Sequence, residues 1–274
     1  MIRAIWLDDE KNLVNLDIEK IKDVVEERDG VLWVDIESPT PDEYAIMESV
    51  FEFHPLALQD VREDAHYAKF EDFGDVLLIT AQTPYDPSVV IAPETDERTK
   101  EIDIFVGRNF LVTSHKRPSP TINLFLKQPA TNGVSILDDG PDMMAQKLLE
   151  AVLTRYDKVV DELLLRSEAL EEGVMQLTNQ EQFLQESLDL KKVAMTMRRT
   201  LGYHRDIFWS LAHKNFIVVR KRTQNYFRNI YDHVDQLNVK LDLCRETLTN
   251  ARDLHLSLTS KRTNDVMRVL AVVS

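Results

Sequence analysis

This chain has little cysteine, glycine or clustered histidine, and each shortage excludes a class of protein. There is one cysteine, Cys244, so no internal disulfide can form and the chain suits a reducing compartment. Seven glycines are spread over 274 residues, and neither GxxxxGKS/T nor GxGxxG occurs, which removes the common phosphate-cradling loops. No GxSxG elbow is present. The seven histidines, His54, His66, His115, His204, His213, His233 and His255, are scattered; they form no HExxH and no i, i+4 metal pair. Catalysis needs a nucleophile, a base and an orienting group in one cleft. Nothing in the spacing assembles them, and an enzyme is not expected. Positive charge is also short: 33 Lys plus Arg stand against 47 Asp plus Glu, a net charge of −14. Such a surface repels nucleic acid and attracts cations. No signal peptide is expected, because Asp8, Asp9 and Glu10 interrupt the first apolar run.

Proline is the most informative absence. None occurs from Asp142 to Ser274, where glycine appears only at Gly173 and Gly202. The chain therefore divides into a part that alternates short elements and a part built of long helices. Over residues 1–139, Ile2–Leu7, Val31–Ile36, Val76–Thr83, Glu101–Val106 and Asn109–Ser114 read as strands. Gly107-Arg108 joins the last two as a hairpin. Leu16–Glu27 reads as an amphipathic helix with Ile18, Ile21 and Val25 on one face. Thr40 is a candidate N-cap with Glu43 three residues on. Asp86–Arg98, polar and proline-containing, reads as a mobile loop. The fold class expected is α/β, with a mixed β-sheet flanked by helices as an αβα sandwich, followed by long antiparallel helices and a very long C-terminal stalk helix.

Over residues 140–222 apolar side chains recur at three and four: Leu148, Val152, Tyr156, Val159, Leu163 and Leu170. A turn near Gly173, with Thr178 or Asn179 as a cap, divides two antiparallel helices, the second ending near His213. Residues 223–274 carry the longest pattern. Phe227, Ile230, Val234, Leu237, Leu241, Cys244, Leu248, Ala251, His255 and Leu258 alternate three and four apart, a heptad seam. Fifty residues of helix span about 75 Å, longer than one domain core needs. The seam either packs on its own domain or forms an axis shared between chains. Val266, Met267, Val269, Leu270, Ala271, Val272 and Val273 follow, interrupted by Arg268. This run is shorter than a membrane span of about twenty residues. It reads as the start of a span rather than a whole one.

Two acidic groupings invite a chemical reading. Leu7-Asp8-Asp9-Glu10 and Val34-Asp35-Ile36-Glu37 resemble the pocket of a phosphoacceptor receiver domain, with Asp35 as acceptor. The two strand ends lie too close in sequence for an intervening strand and helix, and no partner lysine stands at a later strand end. Asp8 and Asp9 are expected in a solvated strand-end turn. Carboxylate oxygens suit hard cations such as magnesium, which keeps most of its water and needs only one or two of them. That chemistry leaves almost no spacing signature.

Three ordered segments resemble the CorA-type magnesium transporters and channels. Phe53-His54-Pro55-Leu56-Ala57-Leu58-Gln59-Asp60-Val61 is similar to the family's His-Pro-Leu stretch. Phe227-Arg228-Asn229-Ile230-Tyr231-Asp232-His233 is similar to the start of its stalk helix. Ser260-Lys261-Arg262-Thr263-Asn264-Asp265-Val266-Met267-Arg268-Val269-Leu270 resembles the junction with its first membrane helix. The resemblance covers the whole chain. It implies a cytoplasmic, divalent-cation-sensing portion of an inner-membrane channel, a homopentamer anchored by spans beyond Ser274. The chain by itself would be monomeric or weakly associated. Magnesium, with cobalt or zinc as further candidates, is implied as both regulator and transported ion. Residue by residue, Asp60 matches the sensing aspartate, while its stalk partner is Asn229 and the glutamate before it is Gln59. Asp232 and Glu63 are possible substitutes. Glu150 matches an acidic residue of a second sensing site, Asp253 an acidic ring near the inner mouth, and Asn264, Met267 and Leu270 the pore lining. A zinc transporter of the same superfamily, or a scaffold oligomerising through the Phe227–Leu258 seam, are the alternatives.

Overall fold

The computed structural model describes residues 1–27, 30–63, 65, 67–92, 97–127, 130–131, 134–174 and 180–273. Seven strands form one sheet: β1 (Ile2–Leu7), β2 (Leu13–Asn15), β3 (Val31–Glu37), β4 (Lys69–Asp72), β5 (Leu77–Pro84), β6 (Thr99–Val106) and β7 (Phe110–His115), in the order β2-β1-β3-β7-β6-β5-β4. Only β3 and β7 run parallel; the other neighbours are antiparallel. The sheet is mixed, as the hairpin at Gly107 requires. A side chain at Gly107 would strike the Phe110 ring at 2.4 Å, so the turn needs glycine for close approach. The central strands carry apolar side chains on both faces because both are covered; every residue of β5 is buried, its polar Thr80, Gln82 and Thr83 included. The edge strand β4 carries Lys69, Glu71 and Asp72, charges that discourage further pairing. Two short strands, β8 (Ala130–Thr131) and β9 (Val134–Ser135), pair separately.

One face of the sheet is covered by α1 (Ile21–Glu27), α2 (Pro41–Ser49) and α3 (Pro55–Glu63), around Leu32, Val34, Phe53, Leu58, Phe105 and Val112. Thr40 caps α2 as the sequence suggests: its hydroxyl accepts from the Glu43 amide at 3.3 Å, and the Glu43 carboxylate accepts from the Thr40 amide at 2.9 Å. The other face packs on α6 (Pro141–Gly173), with α4 (Pro87–Val90) and α5 (Pro120–Lys127) at its margins. This is the αβα sandwich expected.

Two local expectations are corrected. Leu16 does not begin a helix, because its amide is still tied to the Ala4 carbonyl at 2.9 Å; a 3-10 turn at Ile18–Lys20 leads into α1, and Ile18 is exposed. Asp86–Arg98 is not a wholly irregular loop either. Asp86 accepts from the Ser88 amide and caps α4, Val90 and Ile91 are buried, and the buried Arg98 guanidinium donates to the Val90 and Ala92 carbonyls. Residues 93–96, and the proposed caps Thr178 and Asn179, lie outside the described residues.

The long helices are α6, α7 (Gln180–His213) and α8 (Lys221–Val273). α6 and α7 pack chiefly on α8, which lies between them, rather than as a pair on one another. Asp157–His233 and Asp161–Lys240 pair in parallel order along α6 and α8, at 2.8 and 2.7 Å. Arg198–Asp242 and Gln180–Thr259 pair in reverse order along α7 and α8. The ten-residue seam faces inward on these two helices: Phe227, Ile230, Val234, Leu237, Leu241, Cys244, Leu248 and Ala251 are all buried. The reading of that seam as an axis between chains, and with it a scaffold joined through it, is therefore corrected; its partners are in the same chain. Heptad spacing records that two helices flank a third, and it is blind to whether they belong to one molecule. Burial pushes the Cys244 thiol up to about 11, so it stays protonated as a core side chain.

Where the bundle begins, Asp142 fastens α6 to α8. Its carboxylate accepts from Thr223 Oγ at 2.6 Å, from the Arg220 amide and Nε at 3.0 Å each, and from Arg220 Nη2. Burial pushes this carboxyl upward, but the Arg220 and Thr223 donors outweigh it and hold it below the ordinary range. Gly140, at φ +88°, lets the Arg220 guanidinium pass within 2.8 Å of where a Cβ would stand.

Candidate functional site

The stalk is one unbroken helix of 53 residues. Its flanking helices end before it does. Toward that end, the contacts among the described residues include the Gln180–Thr259 hydrogen bond at 3.3 Å and the small cluster of Val174, Phe183 and Ala251 with Leu258 against it. From residue 260 to 272 every side chain is exposed, an overhang of about 20 Å at helical rise. It displays Asn264, Met267 (63% exposed) and Leu270 (63%), together with Val266, Val269 and Val272. Among the described residues no helix is long and apolar enough to cross a membrane. The apolar side chains of residues 266–272 form an exposed hydrophobic patch on this part of the helix.

The other residues singled out in the sequence lie apart. Asp60 is on α3, Glu150 on α6, and Asn229 and Asp253 on α8, these last two separated by about 36 Å of helix. No hydrogen bond or ion pair among the described residues joins any two of the four. Nor do any three His, Cys, Asp or Glu side chains among the described residues gather as one metal site. Asn229, Asp232, Asp253 and Glu150 are exposed, and the Glu150 carboxylate accepts from Gln146 Nε2 at 3.0 Å. Glu63 accepts from Gln59 at 3.1 Å.

Asp60 has a partner the sequence reading did not supply. Lys69, on the edge strand β4, places its ammonium 2.5 Å from Asp60 Oδ2 and 2.7 Å from Glu71 Oε1. Burial works against that ammonium, but the two carboxylates prevail and hold its pKa above the ordinary lysine range. An ammonium thus occupies the position that a bridging cation would take between Asp60 and Glu71. The signal was present: Lys69 and Glu71 are two apart on a strand and share a face. What the sequence could not supply was the approach of α3 to that face.

Asp35, the would-be phosphoacceptor, is fully buried and engaged. Arg3 donates to Oδ2 at 2.7 Å, Thr113 Oγ to Oδ1 at 2.6 Å, and His115 Nε2 lies 3.2 Å from Oδ1. Trp33 Nε1 donates onward to Thr113 at 3.1 Å. The network ties β1, β3 and β7 together beneath α5 and offers no accessible carboxylate. Asp8 sits in an exposed turn, its carboxylate accepting from the Asn12 amide at 2.7 Å, as expected.

A mixed sheet resting on a three-helix bundle whose last helix overshoots is the fold of the soluble portions of certain cation transporters. The soluble domain of CorA from Methanocaldococcus jannaschii superposes with a TM-score of 0.76 at 20% identity, over 94% of this chain and 97% of that one. The ZntB cytoplasmic domain from Vibrio parahaemolyticus does so at 0.67 and 12%, over 95% and 98%. In sequence, the chain is 28% identical over 263 residues to a putative metal ion transporter, YfjQ, of Bacillus subtilis, covering 96% of this chain and 78% of that protein. The chain belongs to the CorA-like Mg2+ transporter protein family, whose model matches residues 28–274.

Proposed function

We propose that this chain is the cytoplasmic, divalent-cation-responsive part of a CorA-type magnesium channel at the inner membrane. The observation that carries the reading is the overhang of α8. In a fivefold assembly the exposed Val266, Met267, Val269, Leu270 and Val272 would be covered by neighbouring copies and by lipid. Asn264, Met267 and Leu270 would then face a shared axis: the amide would meet the hydrated ion, and the apolar pair would close the path by excluding water. Asp253 would lie below them as an acidic ring. The buried seam fits this arrangement, because it fastens each stalk to its own domain and leaves the opposite face of α8, with Val239 69% exposed, for neighbours.

Magnesium is the regulator and the transported substrate in this reading. Asp60 and Glu150 would each take an ion across a subunit boundary, opposite Asn229 or another acidic surface. A bridging ion shifts the closed–open balance only through its preference for the closed form. The net charge of −14 supplies the repulsion that ion loss would release. Two features argue for weak control at Asp60: Gln59 and Asn229 are neutral, and Lys69 already occupies the carboxylate.

Calorimetric titration of magnesium, cobalt and zinc into the wild type and Asp60→Ala, with ion flux measured through the membrane-inserted protein, tests the reading. Magnesium flux blocked by Met267→Asp or Leu270→Asp is expected. Flux of zinc with none of magnesium would transfer the protein to the zinc-handling reading, and absence of any divalent flux would end both.

A further inference from the structure

A second site lies away from the stalk, at the ends of β6 and β7 where α7 passes. A cavity of about 270 Å³ opens there, lined by Lys100, Lys116 and Arg117 from the strand ends and by Arg199, Thr196 and Thr200 from α7. Its charge is opposite to that of the molecule. The carboxylates that also reach it are already engaged. Glu97 pairs with Arg117 at 2.5 Å. Glu101 accepts from Gln82 Nε2 at 2.9 Å and the Ala65 amide at 3.2 Å. Asp103, only 4% exposed, accepts from Thr80 Oγ at 2.8 Å.

Of the cations, Arg117 is answered by Glu97, whereas Lys100 makes no ion pair among the described residues. Lys100 lies over the Tyr85 ring at 5.3 Å and donates to a neutral acceptor, the Pro118 carbonyl, at 2.5 Å. Arg117 donates to the Tyr85 hydroxyl. Arg155, which is felt by Lys100 but does not line the cavity, donates to the Pro84 carbonyl at 3.2 Å. Asp86, which feels Arg155 and Lys158, is bonded to the Ser88 amide and hydroxyl at 3.1 and 2.8 Å. Burial first, then the like charges of Arg155 and Arg117, lower the Lys100 pKa. Arg199 is exposed and makes no ion pair among the described residues.

We propose that this cavity binds a small phosphate-bearing anion, held by Lys100 at the strand end and by Arg199 of α7, with the Arg117 guanidinium shared between Glu97 and the anion. Crowded like charges in a polar recess are relieved by an anion that several of them share. Guanidinium forks and an ammonium from two different elements suit the several oxygens of a phosphate. The cavity is small for a drug-sized ligand, which limits the occupant to about the bulk of a diphosphate. Because its donors come from the sheet and from α7, the bound anion would fasten the bundle to the sandwich. The site is independent of the channel reading.

The test uses the whole chain in chelator, so that no divalent ion carries the anion. Inorganic pyrophosphate is titrated in one arm and phosphatidic-acid vesicles in the other, which separates a free phosphate compound from a lipid headgroup. Saturable binding in either arm is expected, with a raised melting temperature in the pyrophosphate arm. Lys100→Gln and Arg199→Gln should each weaken it about tenfold. Lys240→Gln, which removes a surface ion pair with Asp161, should leave it unchanged. Arg199→Gln alters an exposed helix position, so its own melting curve shows that the fold survives. No binding in either arm at millimolar anion overturns the proposal. So does binding that survives both Lys100→Gln and Arg199→Gln, or that falls equally with Lys240→Gln.

Discussion

Residues 221–258 and 260–272 belong to the same helix and are equally free of glycine and proline, yet they obey different rules. In the first stretch every third or fourth side chain is buried against α6 or α7. In the second none is. Local propensity is alike in both, so the difference is one of tertiary packing: most helical stability in a protein comes from a buried face. The lower stalk is held as part of a core, and the upper stalk is held only by continuing it. The same rod is thus a packed structural beam below and an uncovered helix above.

The largest expected effect lies in the beam. Leu241 is fully buried between helices, and Leu241→Ala should cost about 3 kcal/mol in denaturant unfolding, from lost burial and the cavity left behind. A loss below about 1 kcal/mol would mean that the seam is not packed on its own chain.

Next comes the joint between the bundle and the sheet. The edge strand β4 pairs β5 only as far as Thr80, so the polar groups of Gln82 need other partners. His204 Nε2 accepts from the Gln82 amide at 3.2 Å, and the Tyr156 hydroxyl donates to the Gln82 carbonyl at 2.8 Å. The other His204 nitrogen faces the Thr200 carbonyl at 3.0 Å, which fixes the neutral tautomer with its proton on Nδ1. Burial pulls the His204 pKa down from 6.5 to about 4. Between those values the unfolded chain binds the proton and the folded chain does not. Stability from this group is therefore whole above pH 6.5 and is lost as pH falls toward 4, by roughly 3 kcal/mol. Urea titrations across that window check it, and His204→Phe should flatten the slope. An unchanged slope in that variant would assign the acid sensitivity elsewhere.

How much of this was legible follows from the kind of interaction. Alternation and heptad spacing are properties of one segment, so β1, β3, the Thr40 cap and the seam could be read directly. His204 against Gln82, Asp142 against Arg220 and Lys69 against Asp60 depend on elements brought together from distant parts of the chain, and no spacing rule encodes them. Charge itself misled in one respect. A carboxylate such as Asp60 is open to a cation by type, but only the approach of β4 shows that a lysine has already arrived. Asn264, Met267 and Leu270 stand differently: their order along one helix face was plain, while no surface of the described residues covers them.

Lys69 gives the prediction of intermediate size. If its ammonium and a divalent ion compete for Asp60, Lys69→Met should tighten magnesium binding about tenfold. Asp60→Ala in the same background should remove the gain. Calorimetry on the four proteins reads both. Unaltered affinity in Lys69→Met would remove Asp60 from the ion's path and leave Glu150 as the remaining candidate on the sandwich side of the stalk.

The smallest effect is the one that completes the comparison. Leu270 is as apolar as Leu241, but Leu270→Ser should change the unfolding free energy of the isolated chain by less than about 0.5 kcal/mol, because its side chain is already in water. Val269→Ser should behave alike. In the assembly proposed above, where neighbouring copies and lipid would surround the tip, the same substitutions should matter, because exchanging an apolar side chain for a hydroxyl would remove burial from the assembled form alone. Chain stability and assembly in a lipid disc therefore read different parts of α8. A large loss in the isolated chain would mean that residues 260–272 pack on their own molecule, and the division of the stalk into beam and uncovered tip would fail.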